Sequence, residues 1–84
     1  MTQDTQMDMG KTYKVTYKQQ SGNHRWYKWE MTATVLGNSR GEILFNLRPL
    51  AGTTRIPGEN ILAFREAGYH EHVMPKRFPG AIET

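Results

Sequence analysis

The sequence contains no cysteine among its 84 residues. Disulfide bridges and zinc sites built on thiolates are therefore excluded, and packing and hydrogen bonds must hold the fold together. A chain of this length forms one small domain, which buries only about 60% of the surface that the unfolded chain exposes. Such a domain has little room for a deep catalytic cleft.

Long apolar runs are also absent. No stretch approaches the roughly 18 consecutive apolar residues that a membrane-spanning helix requires. The first ten residues carry Asp4 and Asp8, whereas a secretory signal begins with basic residues followed by an apolar segment. We therefore expect a soluble, cytoplasmic protein that does not associate with a membrane.

The apolar residues do not recur with the period of a helix over two turns with caps. They alternate with polar residues, which is the pattern of strands that bury one face. The first such run, residues 11–19, directs Tyr13, Val15 and Tyr17 to one side. The longest run, residues 26–36, assigns five residues to the core: Tyr27, Trp29, Met31, Ala33 and Val35.

Polar breaks with glycine and asparagine separate these runs. Residues 20–24 and 37–41 are suited to hairpin turns, because glycine and asparagine tolerate positive φ. A third strand is predicted over residues 42–50, with one apolar side made of Ile43, Phe45 and Leu47.

The last two predicted strands, residues 53–56 and 61–64, are short and close together. The residues between them, Pro57-Gly58-Glu59-Asn60, are too few for an α-helix and predict one 3-10 turn. In the final strand the bulkier alternating set is predicted to face the core, namely Leu62 and Phe64 rather than Ile61 and Ala63.

We predict an all-β fold in which five strands close into a small barrel, because a flat sheet of five short strands would expose its edges. The barrel covers residues 11–67. Residues 1–10 are polar without a sustained period and are predicted to form a flexible tail. Residues 68–84 contain Pro75 and Pro79, which favour an extended arm over a helix or an interior strand.

The segment between the fourth and fifth strands resembles the closing part of SH3-like small β-barrels. Residues 56–61, Ile-Pro-Gly-Glu-Asn-Ile, are similar to the second signature motif of Sm-like proteins, Ile-Arg-Gly-x-Asn-Ile. The resemblance implies a five-stranded, strongly bent barrel. Sm-like proteins bind RNA partly through the basic residue of this motif, and Pro57 stands at that position here. The chain length and polar N-terminus also resemble small accessory proteins of bacteriophages.

The residues that catalysis would need are scattered. The four glutamates of residues 11–67 lie on separate predicted elements, and neither a nucleophile elbow nor a phosphate-binding glycine loop is present. His70-Glu71-His72 is the only spacing typical of a metal site, and two solvated histidines near a chain end explain it more simply than zinc does. We therefore predict a protein that is not an enzyme and that holds no metal or cofactor.

Charge is distributed unevenly along the chain. Residues 11–67 carry nine Lys or Arg and four Glu, a net charge of +5, whereas residues 1–10 carry −2. A basic domain favours an anionic partner such as nucleic acid, although net charge also serves solubility.

Five basic residues and one tryptophan form the candidate binding face, on the polar side of the first three strands or at a loop edge: Lys14, Lys18, Arg25, Trp26, Lys28 and Arg48. Cations near phosphates supply salt-dependent affinity, and an exposed indole can stack on an unpaired base. The sequence therefore favours nucleic acid as the ligand. The same face could instead bind a protein, unpaired strand edges could support a homo-oligomer, and Trp26 could be buried under the C-terminal arm.

Overall fold

The computed structural model describes residues 7–47, 52–68 and 71–82. Within these ranges the chain forms six strands and one 3-10 turn: β1 (Thr12–Gln20), β2 (Trp26–Ser39), β3 (Glu42–Asn46), β4 (Thr53–Pro57), the 3-10 turn (Gly58–Asn60), β5 (Ile61–Glu66) and β6 (Val73–Ala81). The predicted all-β class and the predicted 3-10 turn are confirmed. The described ranges contain no helix that is long and apolar enough to cross a membrane.

Every strand pair in the sheet is antiparallel. The strand order is β4-β3-β2-β1-β5, and β6 pairs with β2 outside this path. β2 is long enough to serve two partners along the edge opposite β1. Its residues 27–32 pair with β6, and its residues 34–39 pair with β3. β2 thus joins two parts of the sheet.

The prediction of a closed five-stranded barrel is wrong. β4 and β5 lie at the two ends of the strand order, and no ladder joins them in the described part of the chain, so the sheet is open. The sixth strand comes from the segment that was expected to be an extended arm. Pro75 and Pro79 fit within β6 because it is an edge strand, where a missing N–H can face away from the sheet.

Two hairpins connect the first three strands, as the glycine and asparagine breaks predict. β2 and β3 are joined by the two-residue turn Arg40-Gly41, with φ values of 54° and 79°. Positive φ at both positions identifies a type I′ turn, whose twist matches that of the strands. In the longer β1–β2 connection, His24 has a φ of 67° and donates its backbone N–H to the Ser21 carbonyl at 2.9 Å.

The core lies on one side of the sheet, which we call the inner face. It is a single cluster of buried side chains from β1 to β4 and the residue after β3: Tyr13, Val15, Tyr17, Met31, Ala33, Val35, Ile43, Phe45, Leu47 and Ile56. Because the cluster joins β4 to β1, which are separated by two strands, the sheet curls around it. The alternation in the first three strands predicts nine of these ten residues, and it also predicts Trp29, which is only partly buried against the cluster.

β5 contributes less to the core than predicted. Leu62 and Phe64 are 51% and 38% exposed, and Ile61 packs against the core instead. The β1–β5 ladder shifts register next to Tyr17, which leaves Leu62 as the extra residue of a bulge. Phe64 lies at the open end of the strand order and packs edge to face on Tyr13, with ring centroids 5.6 Å apart. The predicted burial of Leu62 and Phe64 is therefore wrong.

The described end of the N-terminal segment lies against the sheet. The Gly10 N–H donates to the Val35 carbonyl at 2.8 Å, and Met7 packs against the core. The Asp8 N–H donates to the Tyr13 hydroxyl at 2.9 Å. Residues 7–10 thus extend the folded part beyond the predicted domain boundary, while residues 1–6 of the predicted tail lie outside the described ranges.

Candidate functional site

The polar side of β5, β1, β2 and β6, opposite the core, is called the outer face. Paired residues on neighbouring strands point to the same side of a sheet, so the registers order the outer side chains in rows. One row consists of Arg65, Lys14, Thr32 and Val73. The next consists of Ala63, Thr16, Glu30 and Lys76, and a third contains Lys18 and Lys28.

Four of the six predicted site residues share the outer face, and three of them are Lys14, Lys18 and Lys28. Trp26 belongs to it as well, paired with Gln20 at the end of the β1–β2 ladder, and is half-buried. Arg25 is exposed in the turn that precedes β2. Arg48 lies outside the described residues.

Lys18 and Lys28, at the centre of the site, are not neutralised, whereas Lys14 is. Lys14 forms an ion pair with Glu30, with 3.5 Å between Nζ and Oε2. Lys18 and Lys28 lie directly opposite each other, and neither forms an ion pair with a carboxylate among the residues that the structure describes. Like charges in a directly opposed cross-strand pair destabilise a sheet. An anion bound beside these two lysines would offset this repulsion.

Each of these two lysines packs on an aromatic ring. The Lys18 Nζ lies 5.3 Å from the ring centroid of Trp26, and the Lys28 Nζ lies 4.8 Å from that of Phe78. Such cation–π contacts stabilise a charge without neutralising it. We call Lys18, Trp26, Lys28 and Phe78 the basic-aromatic patch. Its two rings are half-buried, so each keeps part of its surface open to a ligand.

β6 fixes the position of the patch at the edge of β2. The Ile82 N–H donates to the Trp26 carbonyl at 2.7 Å, which holds the end of β6 beside the start of β2. On the inner face behind the patch, the Arg77 guanidinium lies 4.3 Å from the ring centroid of Tyr27. The C-terminal segment therefore flanks Trp26, which is neither fully exposed nor fully buried.

The opposite end of the outer face is partly covered by two residues of the connection between β5 and β6. Ala67 directly follows β5, and His72 directly precedes β6. The Ala67 N–H donates to the Thr12 carbonyl at 2.9 Å, and the Nε2 atom of His72 lies 2.8 Å from the Thr34 hydroxyl. This coverage explains why Thr12 and Thr32 are buried although they alternate with the core residues.

A groove of about 670 Å³ runs along this covered end of the outer face. Its charged lining is balanced, with three basic and three acidic residues: Lys14, Arg65 and Lys76, and Glu30, Glu66 and Glu71. The uncompensated positive charge of the outer face is therefore concentrated at the other end, on the basic-aromatic patch.

The described residues do not bring three His, Asp or Glu side chains together as a metal site. Of the His70-Glu71-His72 spacing, His70 lies outside the described ranges, and the His72 ring is engaged by Thr34. The candidate site thus consists of cations and aromatic rings.

Sequence reasoning missed three residues of the outer face, Arg65, Lys76 and Phe78. Arg65 could have been found, because it alternates with the predicted inward-facing Leu62 and Phe64. Lys76 and Phe78 were missed because the two prolines of β6 favour an extended arm, for which no pairing with the sheet was predicted.

The chain matches no protein-family model, and comparisons with curated proteins and with solved structures find no match either.

Proposed function

We propose that this protein is a non-enzymatic module that binds nucleic acid through the basic-aromatic patch. The observation that carries the proposal is the directly opposed pair Lys18 and Lys28, which has no carboxylate partner among the described residues. A phosphate bound beside this pair is attracted by both positive charges and offsets their mutual repulsion. Release of the counterions that such a phosphate carries then contributes affinity that depends on salt.

The aromatic members of the patch favour a single strand over a duplex. Trp26 and Phe78 flank the two lysines, and base–aromatic stacking stabilises binding by about 1–3 kcal/mol per base. Only an unpaired base can expose its face for this contact. A duplex offers the patch its phosphates alone, so we expect it to bind more weakly.

The resemblance to SH3-like and Sm-like barrels remains a proposal for residues 11–67. It is supported by the 3-10 turn, Gly58–Asn60, which joins β4 directly to β5, and by the sheet that curls around one core. The binding face proposed here lies on β1, β2 and β6, away from the motif at Pro57. The ligand contacts of Sm-like proteins are therefore not carried over.

Binding of labelled single-stranded and duplex oligonucleotides at several salt concentrations tests the proposal. We expect the logarithm of the single-strand binding constant to fall with the logarithm of salt with a slope of about −1 to −3, since a few phosphates are contacted. The double variant Lys18→Glu and Lys28→Glu should lower the affinity at least about tenfold. Its matched control is Arg40→Glu with Arg55→Glu, which changes the net charge equally outside the patch and should have a small effect.

Trp26→Ala separates stacking from charge. We expect about tenfold weaker binding to the single strand, with nearly the same salt slope, because the phosphate contacts remain. Trp26→Phe should keep most of the affinity. If neither oligonucleotide binds at low salt, the nucleic-acid proposal fails. The alternative of a protein partner anchored by Trp26 then takes its place, with an affinity that depends little on salt.

A further inference from the structure

The groove of about 670 Å³ at the covered end of the outer face is large enough for a ligand, since pockets for small molecules measure roughly 300–1,000 Å³. A second cavity of about 260 Å³ lies beside it. The two cavities share three lining residues, Lys14, Glu30 and Arg65. The Lys14–Glu30 ion pair therefore stands where the two cavities meet.

This ion pair keeps hydrogen-bonding capacity for a ligand. The Oε2 atom of Glu30 lies 3.5 Å from Nζ of Lys14, and the described residues supply no other hydrogen bond or ion pair to either group. A carboxylate accepts hydrogen bonds at two oxygens, and an ammonium group donates three. The two side chains are 31% and 38% exposed. The pair thus presents unused acceptors next to unused donors.

The ion pair also lies close to the basic-aromatic patch. The row that contains Thr16 and Glu30 is two residues along the strands from the row of Lys18 and Lys28. Because a strand rises about 3.3 Å per residue, the two rows are about 7 Å apart. Neighbouring nucleotides of an extended single strand span such a distance. A strand held at the patch therefore brings the base of an adjacent nucleotide to the ion pair.

A carboxylate on a face that binds phosphates points to a contact with a base. Glu30 repels the backbone of a nucleic acid, but it accepts hydrogen bonds from the N–H groups of an unpaired base. Guanine has two neighbouring donors, N1–H and the N2 amino group, beside the acceptor O6. Adenine and cytosine set a single amino group beside a ring nitrogen that the carboxylate repels, and thymine and uracil have one N–H between two carbonyls.

We propose that the Lys14–Glu30 ion pair selects guanine at a nucleotide next to the basic-aromatic patch. The Glu30 carboxylate accepts from N1–H and from the N2 amino group, and the Lys14 ammonium donates to O6. Arg65 lies directly opposite Lys14 and forms no ion pair among the described residues, so its guanidinium is available to a phosphate of the same strand. Selection of this kind depends on the proposed binding of a single strand to the patch.

Binding of short oligothymidine strands that carry guanine, adenine or cytosine at one position tests the selection. At the preferred position we expect the guanine strand to bind about tenfold more tightly than the others, because a bidentate contact with a base discriminates by at least several-fold. The ratio of affinities should change little with salt, since the base contacts release no counterions. Each affinity by itself should fall as salt rises.

Glu30→Gln tests the carboxylate. The preference for guanine should disappear, because the amide offers one acceptor oxygen in place of two and sets its own N–H groups against those of the base. Binding to oligothymidine should become tighter, since a negative charge leaves the outer face. The matched control is Glu42→Gln, which removes the same charge from β3, where Glu42 lies 4.0 Å from Arg55, and which should keep the preference. Circular dichroism would establish that both variants are folded.

The outcomes separate selection from binding. The selection of guanine is overturned if the strands bind without this preference, if Glu30→Gln keeps it, or if Glu42→Gln loses it equally. In these cases the proposed binding of nucleic acid still stands. If no strand binds at low salt, both the binding and the selection are overturned.

Discussion

At Tyr17, burial changes the acid–base chemistry of one side chain. The side chain is 2% exposed and stacks on Trp29, with ring centroids 6.4 Å apart. Burial disfavours the charged phenolate and raises the pKa of Tyr17 from 10.0 to about 12. In the unfolded chain the phenol is solvated and loses its proton near its ordinary pKa. The folded state therefore binds more protons than the unfolded state between these two values.

This difference predicts how stability depends on alkaline pH. The contribution of Tyr17 is fully present below pH 10 and is lost as the pH rises towards 12, since the unfolded state is deprotonated first. We expect the free energy of unfolding to fall less steeply over this range in Tyr17→Phe than in the wild type. Urea unfolding at a series of pH values measures both slopes, and parallel slopes would contradict the prediction. The pKa of Lys11 is also raised, by Glu66 and Asp8. Because Lys11 is present in both proteins, its contribution cancels in the difference between the two slopes.

The residues of the core and of the outer face were predictable to different degrees. Alternation assigns Val15, Met31 and Phe45 to the core because the side chains of a strand follow a fixed period of two. Leu62 does not follow this period because it lies at a bulge. A bulge depends on the pairing with the neighbouring strand, so the alternation of residues in β5 alone does not predict it. Phe78, whose ring contacts the Lys28 ammonium, is 50 residues away from it in sequence. No local sequence pattern predicts a contact over that separation.

Among the elements, the β2–β3 hairpin depends most directly on two residues. Arg40 and Gly41 form a two-residue turn in which both have positive φ. An ideal Cβ on Gly41 would meet nothing within 4 Å. The cost of a side chain there is therefore one of backbone conformation, not of space.

Substitutions in this turn should change stability in opposite directions. Asn tolerates positive φ better than Arg, so Arg40→Asn should raise the free energy of unfolding by about 0.5–1 kcal/mol. Gly41→Ala should lower it by about 1–2 kcal/mol. Gly37→Ala is the control, because Gly37 has open space around it and no positive φ. Urea denaturation measures all three, and an equal loss for both glycines would contradict the turn argument.

At the scale of the whole molecule, the core and the site belong to different parts of the chain. The core cluster contains no residue of β6. The site, in contrast, needs β6, because Phe78 completes the basic-aromatic patch. The C-terminal strand is thus an addition to a structure whose core is complete without it.

A chain that ends at Gly68 should therefore still fold. It loses the β2–β6 ladder, the bond from His72 to Thr34 and the contact between Arg77 and Tyr27. We expect the free energy of unfolding to fall by about 1–3 kcal/mol, from a few cross-strand pairs, with one cooperative transition. Circular dichroism with urea checks this expectation. Loss of the folded state would mean that β6 supports the core directly.

The periodicity of two along the chain was enough to establish the all-β class, the first three strands, their hairpins and the core residues on them. Each of these features depends on residues that are close in sequence, through strand alternation and turn preferences. The open sheet, the sixth strand, the exposed edge of β5 and the opposition of Lys18 and Lys28 depend on pairing between distant segments. That pairing is selected by the packing of the whole chain, because hydrogen bonds and burial decide between arrangements that local patterns allow equally.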